Sequence, residues 1–295
     1  MRVAMLPTSR TLTRSLALGL TLLVAACAHA PYTGRRQLLF SSEGRETRMG
    51  YQAFEQIKRQ YKLSRDPDTN ALVTKVGRRI ADAAHRPDYR WEFVVFEGKE
   101  ANAFCLPGGK VGIFTGILKY TKDEAGMATV ISHEVAHALA RHAGERLSQS
   151  MLAQAGGIGL GAALGGVGSL AGTAIMQGYS LGAQLGILLP YSRTQESEAD
   201  RVGLILMAKA GYDPAQALEF WKRMMTHEKG AKLPQFMSTH PNDASRRREL
   251  QEFLPEARKY YVPAQEAQSP PPPGKPAATP PSPAPVAGRW IPAPR

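Results

Sequence analysis

The chain has 295 residues, a formal net charge of +12 and only two cysteines. With so few cysteines, the fold must be stable without a disulfide framework. The positive charge suits an anionic membrane surface, but the basic clusters at 78–79 and 246–248 are not interleaved with aromatic residues. Because a groove for nucleic acid usually combines both features, we expect no nucleic-acid partner.

Residues 1–26 predict a lipoprotein signal peptide. Three arginines precede an apolar run that is too short for an ordinary membrane span. The run ends in Leu23-Val-Ala-Ala-Cys27, which resembles a bacterial lipobox and predicts a lipid on Cys27. Since Ala28 rather than Asp follows, we expect a periplasmic protein anchored to the outer membrane. Ordinary cleavage after a small residue is the alternative.

The next segments predict a polar tether followed by helices and a small sheet. Residues 27–44 are expected to be the tether, and the folded domain is expected to span 45–262. Apolar spacing predicts amphipathic helices at 45–61 and from residue 68. Segments rich in β-branched and aromatic residues then predict three strands, the last two joined by a turn at 107–109: 91–96, 102–106 and 110–115.

The stretch from 129 to 142 holds the densest set of metal-binding residue types. In a helix, His133 and His137 lie one turn apart on one face, where two imidazoles can bind one metal ion. Glu134 is then placed to contact a water molecule rather than the metal. Asp123 fits the N-terminus of this helix, and 141–144 fits its C-terminal end.

The second half of the chain contains an uncharged segment and several helices. Residues 147–192 carry no charged side chain and many Gly and Ala, which favours close-packed helices; a transmembrane hairpin is the alternative. Helices are predicted from 194, from 215 to about 228, and from 243, with a loop at 234–241. Residues 263–295 are rich in proline and are expected to be a disordered tail.

A catalytic zinc ion usually needs a third protein ligand, and two carboxylates near position 200 are candidates. Glu196 lies in the first turn of a predicted helix, and Asp200 lies one turn further on. Asp200 could accept the free ring N–H of a ligand histidine. The alternative is that these acidic residues, together with Glu198, only complement the helix dipole. Glu145 lies too far along the helix of His133 and His137 for its carboxylate to reach back to the metal.

Four separated motifs occur in one order and together resemble a known family. They are Asn102-Ala-Phe-Cys-Leu-Pro-Gly-Gly109, His133-Glu-Val-Ala-His137, Arg193-Thr-Gln-Glu-Ser-Glu-Ala-Asp200 and Ser238-Thr-His-Pro241. This set resembles the gluzincin-type zinc metallopeptidases that include the CaaX-prenyl endoprotease and HtpX. The likeness is to the short bacterial periplasmic lipoproteins of that family, because the chain has a lipobox and no unambiguous membrane span.

The resemblance implies a fold, a metal and a reaction. The fold would be α+β and mainly helical, a zincin-like domain with a small β-sheet beside the HExxH helix. One Zn²⁺ per chain would be bound by His133, His137 and Glu196, with Asp200 behind them. Glu134 would be the catalytic base. The substrates would be unfolded or misassembled envelope proteins.

The resemblance also implies residues that contact the substrate. The strand and turn would border the substrate cleft through Asn102, Ala103, Phe104, Gly108 and Gly109. Arg193 and His240 are candidates for stabilising the oxyanion. His240 could instead occupy the fourth zinc position, or have no metal role.

Two other function classes stay open at this point. One is a chaperone-like binding lipoprotein with a structural metal, against which Glu134 argues because a structural site needs no base. The other is a membrane-embedded protease that uses 147–192 as a hairpin.

Overall fold

The computed structural model describes residues 27–163, 191–226, 234–240 and 244–263. It confirms a mainly helical protein with small sheets. The strands are β1 (Cys27–His29), β2 (Arg36–Leu38), β3 (Glu92–Phe96), β4 (Ala103–Leu106) and β5 (Lys110–Phe114). The helices are α1 (Glu43–Gln60), α2 (Pro67–Ala84), α3 (Leu118–Thr121), α4 (Glu124–Leu139), α5 (His142–Ala163), α6 (Arg193–Lys209), α7 (Gln216–Met225), α8 (Gln235–Thr239) and α9 (Ala244–Arg258).

α4 is the central helix of the domain. The Asp123 side chain caps it by accepting a hydrogen bond from the backbone N–H of Gly126 at 2.8 Å. All fourteen residues from Gly126 to Leu139 are buried, since the helix packs against α2, α6, α7 and β4. A helix that is buried all round places its polar side chains inside the protein, where they need partners or ligands.

The three-stranded sheet lies beside α4 in the order β3-β5-β4. β3 pairs with β5 in parallel, and β4 pairs with β5 in the predicted antiparallel hairpin. Gly108 and Gly109 make the turn with φ angles of 85° and 83°, a region that glycine adopts at little cost. In the strand order of the described residues, β4 is an edge strand, with β5 as its one partner.

The segment expected to be a tether differs from the prediction. β1 and β2 form an antiparallel hairpin in which His29 faces Arg36, and Gln37 is buried. Arg35 bridges from this hairpin to carboxylates on α5 and α6. The sequence alone gives no sign of this docking, because the partners lie more than a hundred residues away.

Two further details differ from the predictions. The helix that carries the histidines ends at Leu139, and His142 begins the next helix after Arg141 turns the chain at φ 56°. The segment 234–241 was predicted as a loop, but it contains the short helix α8. Few residues lie between Pro234 and Pro241, so a helix was hard to recognise there.

Other predictions fall outside the described residues. These are the signal peptide, most of the uncharged segment and the Pro-rich tail. Within the described ranges, no helix is both long and apolar enough to cross a membrane.

Candidate metal centre

Three helices bring the predicted ligands together in the buried interior. His133 and His137 lie on α4, Glu196 lies in the first turn of α6, and His240 directly follows α8. Each of the four is at most 3% exposed. The two long helices approach closely at Gly203, where a Cβ atom would lie 3.2 Å from the Cα of His133.

The spacing of the donor atoms fits a zinc ion. The four candidate ligand atoms lie within 4.8 Å of one another. Nε2 of His133 is 3.1 Å from Nε2 of His137, and 3.5 Å from Oε2 of Glu196. Nδ1 of His240 is 3.2 Å from Nε2 of His133. Ligands at tetrahedral angles and zinc bond lengths of about 2.0–2.1 Å would be about 3.4 Å apart, so both spacing and donor chemistry fit.

Glu134 lies beside this cluster with an available oxygen. It is buried, and its Oε1 has no hydrogen-bond partner in the part of the chain that the structure describes. The same oxygen lies 3.3 Å from Nε2 of His240. Burial raises the pKa of Glu134. A buried carboxylate with a raised pKa and an oxygen that makes no hydrogen bond among the described residues suits a general base.

Behind the ligands, Asp200 and Arg246 form a charged support. Oδ1 of Asp200 lies 3.0 Å from Nδ1 of His133, and its predicted role in orienting a ligand histidine stays a prediction. Arg246 of α9 donates two hydrogen bonds to Asp200, at 2.6 and 2.8 Å, and its Nη1 lies 2.8 Å from Oε2 of Glu196. Its guanidinium carbon lies 3.6 Å from the centre of the Trp221 ring. One cation therefore contacts two of the buried acids.

The surrounding charges favour a deprotonated Glu196 and shift the pKa values of the two helical histidines in opposite directions. Burial by itself raises the pKa of Glu196, but His240 and Arg246 outweigh it and lower the pKa well below its usual value. Burial lowers the pKa of His133, yet the carboxylates of Asp200 and Glu196 raise it to about 9. For His137, burial dominates and the pKa falls well below its usual value. Metal binding must then displace a proton from His133.

The predicted substrate residues lie on and around β4. Asn102 is buried, and its Oδ1 accepts a hydrogen bond from the backbone N–H of Ala103 at 3.0 Å. Ala103 and Phe104 are also buried within the strand. Phe104 stacks with the aromatic cluster that includes Phe96, so its side chain belongs to the core. A role for the backbone of these residues in substrate binding stays a prediction.

The other residues predicted to have a function are the two turn glycines, Arg193 and Cys27. A Cβ atom added at Gly108 would meet the side chains of Tyr51 and Thr47, and one added at Gly109 would meet those of Trp91 and Tyr89. Arg193 is exposed at the first residue of α6. Cys27 begins β1. For all of them, the predicted function stays a prediction.

Among the residues that contact the cluster, Arg246, His142 and Tyr191 were not predicted from the sequence. The Tyr191 ring stacks on that of His137 with 3.9 Å between centroids, and His142 approaches the same ring from α5. Arg246 had a recognisable signal, since it shares a helix face with the buried Leu250. His142 and Tyr191 had no comparable signal in the sequence.

The sequence pattern of peptidase family M48 matches residues 67–254, well over half of the chain. The chain belongs to peptidase family M48. It is therefore a metalloendopeptidase of a family that uses zinc, and the cluster of His133, His137, Glu196 and His240 is able to bind that metal.

Similar proteins come from both mitochondria and bacteria. Mitochondrial metalloendopeptidase OMA1 of Schizosaccharomyces pombe is 36% identical over 233 residues, which cover 78% of this chain and 67% of that protein. The OMA1 of Bos taurus is 32% identical over 245 residues, covering 78% and 46%. The Beta-barrel assembly-enhancing protease of Escherichia coli K12 is 28% identical over 209 residues, covering 70% and 43%.

Proposed function

We propose that this protein cleaves peptide bonds in unfolded or misassembled proteins of a bacterial envelope, with one zinc ion per chain. The observation that carries the proposal is the buried group formed by His133, His137, Glu196 and His240, with Oε1 of Glu134 3.3 Å from Nε2 of His240. The similarity to the Beta-barrel assembly-enhancing protease supports the choice of substrate class.

In the proposed mechanism, His133, His137 and Glu196 hold the metal, and Asp200 fixes the ring of His133. A zinc ion held there would supply a Lewis acid for the scissile carbonyl and would lower the pKa of a bound water toward about 7. Glu134 accepts a proton from the attacking water at Oε1 and then donates it to the nitrogen of the leaving amine. Because burial raises its pKa, Glu134 holds that proton more readily than an exposed glutamate would.

The experiment that tests this function is the substitution Glu134→Gln. We expect unchanged zinc content and a loss of casein hydrolysis by several orders of magnitude, because the base is gone while the ligands stay. Glu219→Gln on α7, which alters an exposed glutamate, is the matched control and should leave hydrolysis unchanged. Activity above about a tenth of the wild type would exclude Glu134 as the base.

Two roles with opposite consequences are open to His240: an oxyanion donor, or a fourth zinc ligand that excludes water. The second is supported by its Nδ1, which lies 3.2 Å from Nε2 of His133 and 2.9 Å from Oε1 of Glu196. Its Nε2 also lies 3.3 Å from Glu134. We therefore propose that the resting enzyme is latent and that His240 must leave before a substrate binds. Arg193 stays the other candidate donor.

The edge strand β4 is the proposed docking place for an extended substrate. Addition of a strand there would let the backbone, from Asn102 onward, carry much of the recognition. In the described structure, the backbone N–H of Phe236 in α8 donates to the carbonyl of Ala101 at 2.8 Å, just before β4. His240 directly follows α8. One displacement of this short helix would therefore release the end of β4 and also move His240 away from the metal.

The proposed location is the outer membrane of a bacterium, on its periplasmic side, with a lipid on Cys27. The lipobox-like Leu23–Cys27 supports this anchor. The alternative is a membrane-embedded protease in which 147–192 inserts as a hairpin; 164–190 lies outside the described residues. Membrane attachment that depends on Cys27 would favour the lipid, and attachment without it would favour the hairpin.

A further inference from the structure

A chain of polar contacts leads from the ligand His137 to the N-terminal hairpin. His142 is fully buried beside His137, and 2.8 Å separates their Nδ1 atoms. On the other side of the same ring, Nε2 of His142 lies 3.0 Å from Oε2 of Glu198. The reaction proposed above assigns no role to His142 or Glu198, although both are polar and buried.

The contacts fix the direction in which each ring donates. Nε2 of His137 faces the cluster, at 3.1 Å from Nε2 of His133, so it must be unprotonated to bind a metal. The proton of His137 is then on Nδ1, which donates to Nδ1 of His142. His142 must in turn carry its proton on Nε2, which donates to the carboxylate of Glu198. A histidine ligand whose second nitrogen donates to a fixed acceptor is held in one tautomer and one orientation.

The hairpin holds the last member of this chain in place. Nε of Arg35 donates to Oε2 of Glu198 at 2.8 Å, and the hydroxyl of Thr33 donates to its other oxygen. The two terminal nitrogens of Arg35 donate to both oxygens of Glu145 on α5, at 2.8 and 2.7 Å. One guanidinium therefore joins α5 to α6, and the ring of His142 lies between these helices.

We propose that Arg35, Glu198 and His142 are positioning residues for His137, and that docking of the hairpin 27–38 thereby sets the zinc affinity of the site. This inference rests on the proposed zinc-peptidase function. The hairpin begins at Cys27, the residue proposed to carry the lipid. The segment closest to the anchor would then belong to the support of the metal centre, rather than being a passive linker.

The test measures the zinc dissociation constant of the full chain by competition with a chromophoric chelator. His142→Leu removes the acceptor of His137 and should weaken zinc binding about 10- to 100-fold. Arg35→Ala should weaken it about tenfold. Arg201→Ala is the matched control, because Arg201 lies on α6 next to Asp200 and, like Arg35, donates two hydrogen bonds to one carboxylate, that of Glu256, at 2.7 and 2.9 Å. Its zinc affinity should equal that of the wild type.

Each outcome decides the proposal. Wild-type affinity in a folded His142→Leu variant would overturn it, and so would equal effects of Arg35→Ala and Arg201→Ala. If His142→Leu does not fold by circular dichroism, the two arginine variants decide alone. The visible spectrum of the Co²⁺-substituted protein should change in Arg35→Ala but not in Arg201→Ala. A wild-type chain that binds no zinc would instead refute the zinc-peptidase function, and this inference with it.

Discussion

Substitution of Arg246 by methionine should destabilise the protein strongly. The side chain of Arg246 is 5% exposed, that of Asp200 is 2% exposed, and the two groups share two hydrogen bonds. Arg246 also neutralises Glu196, with 2.8 Å between Nη1 and Oε2. Methionine fills much of the same volume but leaves both carboxylates without this cation.

The magnitude follows from the burial of these charges. Removing one partner of a buried ion pair costs about 3–5 kcal/mol, because the other charge stays buried without compensation. For a domain of this size, about 2–4 °C of Tm is lost per kcal/mol, so we expect a fall of about 6–20 °C. Zinc next to Glu196 supplies positive charge, and the fall should therefore be smaller in the zinc-loaded protein than in the zinc-free protein.

Differential scanning calorimetry with and without zinc would measure both effects. Arg201→Met is the control, since its pair with Glu256 is partly exposed at 38% and 34% and should contribute at most about 1 kcal/mol. Adding Asp200→Asn to Arg246→Met should restore part of the lost stability by removing an unpaired charge. Equal Tm values for Arg246→Met and Arg201→Met would refute the reasoning.

Four further outcomes are expected. Glu196→Ala should reduce zinc occupancy to near zero, whereas Glu219→Ala should not. Equal occupancy in the two variants would mean that Glu196 only complements the helix dipole. His240→Ala should raise kcat at matched zinc occupancy if this residue is a fourth ligand, while a tenfold or larger fall would assign it as an oxyanion donor. Because the pKa of His133 is raised to about 9, its proton competes with zinc at all pH values below 9. Zinc affinity, measured by chelator competition, should therefore fall about tenfold per unit from pH 8 to pH 6, and a flat profile would contradict this. Cys27→Ala should abolish labelling with radioactive palmitate and release the protein from membranes; continued attachment would count against the lipid anchor.

The local patterns in the sequence predicted most of the helices and the sheet around the site. The helix predicted from 215 to about 228 is observed as α7, and its buried residues recur at helical spacing: Ala217, Phe220, Trp221 and Met224. The hairpin at 102–115 was predicted from two strand-forming runs and a double glycine. Such features depend on neighbours a few residues apart, whose geometry is set by helix and strand periodicity.

The environment of the site could not be predicted in the same way. His142 lies five residues after His137, so in one continuous helix the two rings would point in different directions. They meet because Arg141 adopts a left-handed conformation and starts a new helix axis. Likewise, the docking of Arg35 depends on Glu145 and Glu198, which the tertiary fold brings to it from two different helices.

The sequence by itself determined the parts of the catalytic centre that one helix can supply. His133, Glu134 and His137 are fixed relative to one another by the 3.6-residue repeat of α4, whatever the rest of the chain does. Only the tertiary structure decided that His240 approaches the same centre and that Arg246 is buried beside Glu196. The physical reason is that contacts between separate elements depend on how their side chains pack, and sequence spacing carries no information on that packing.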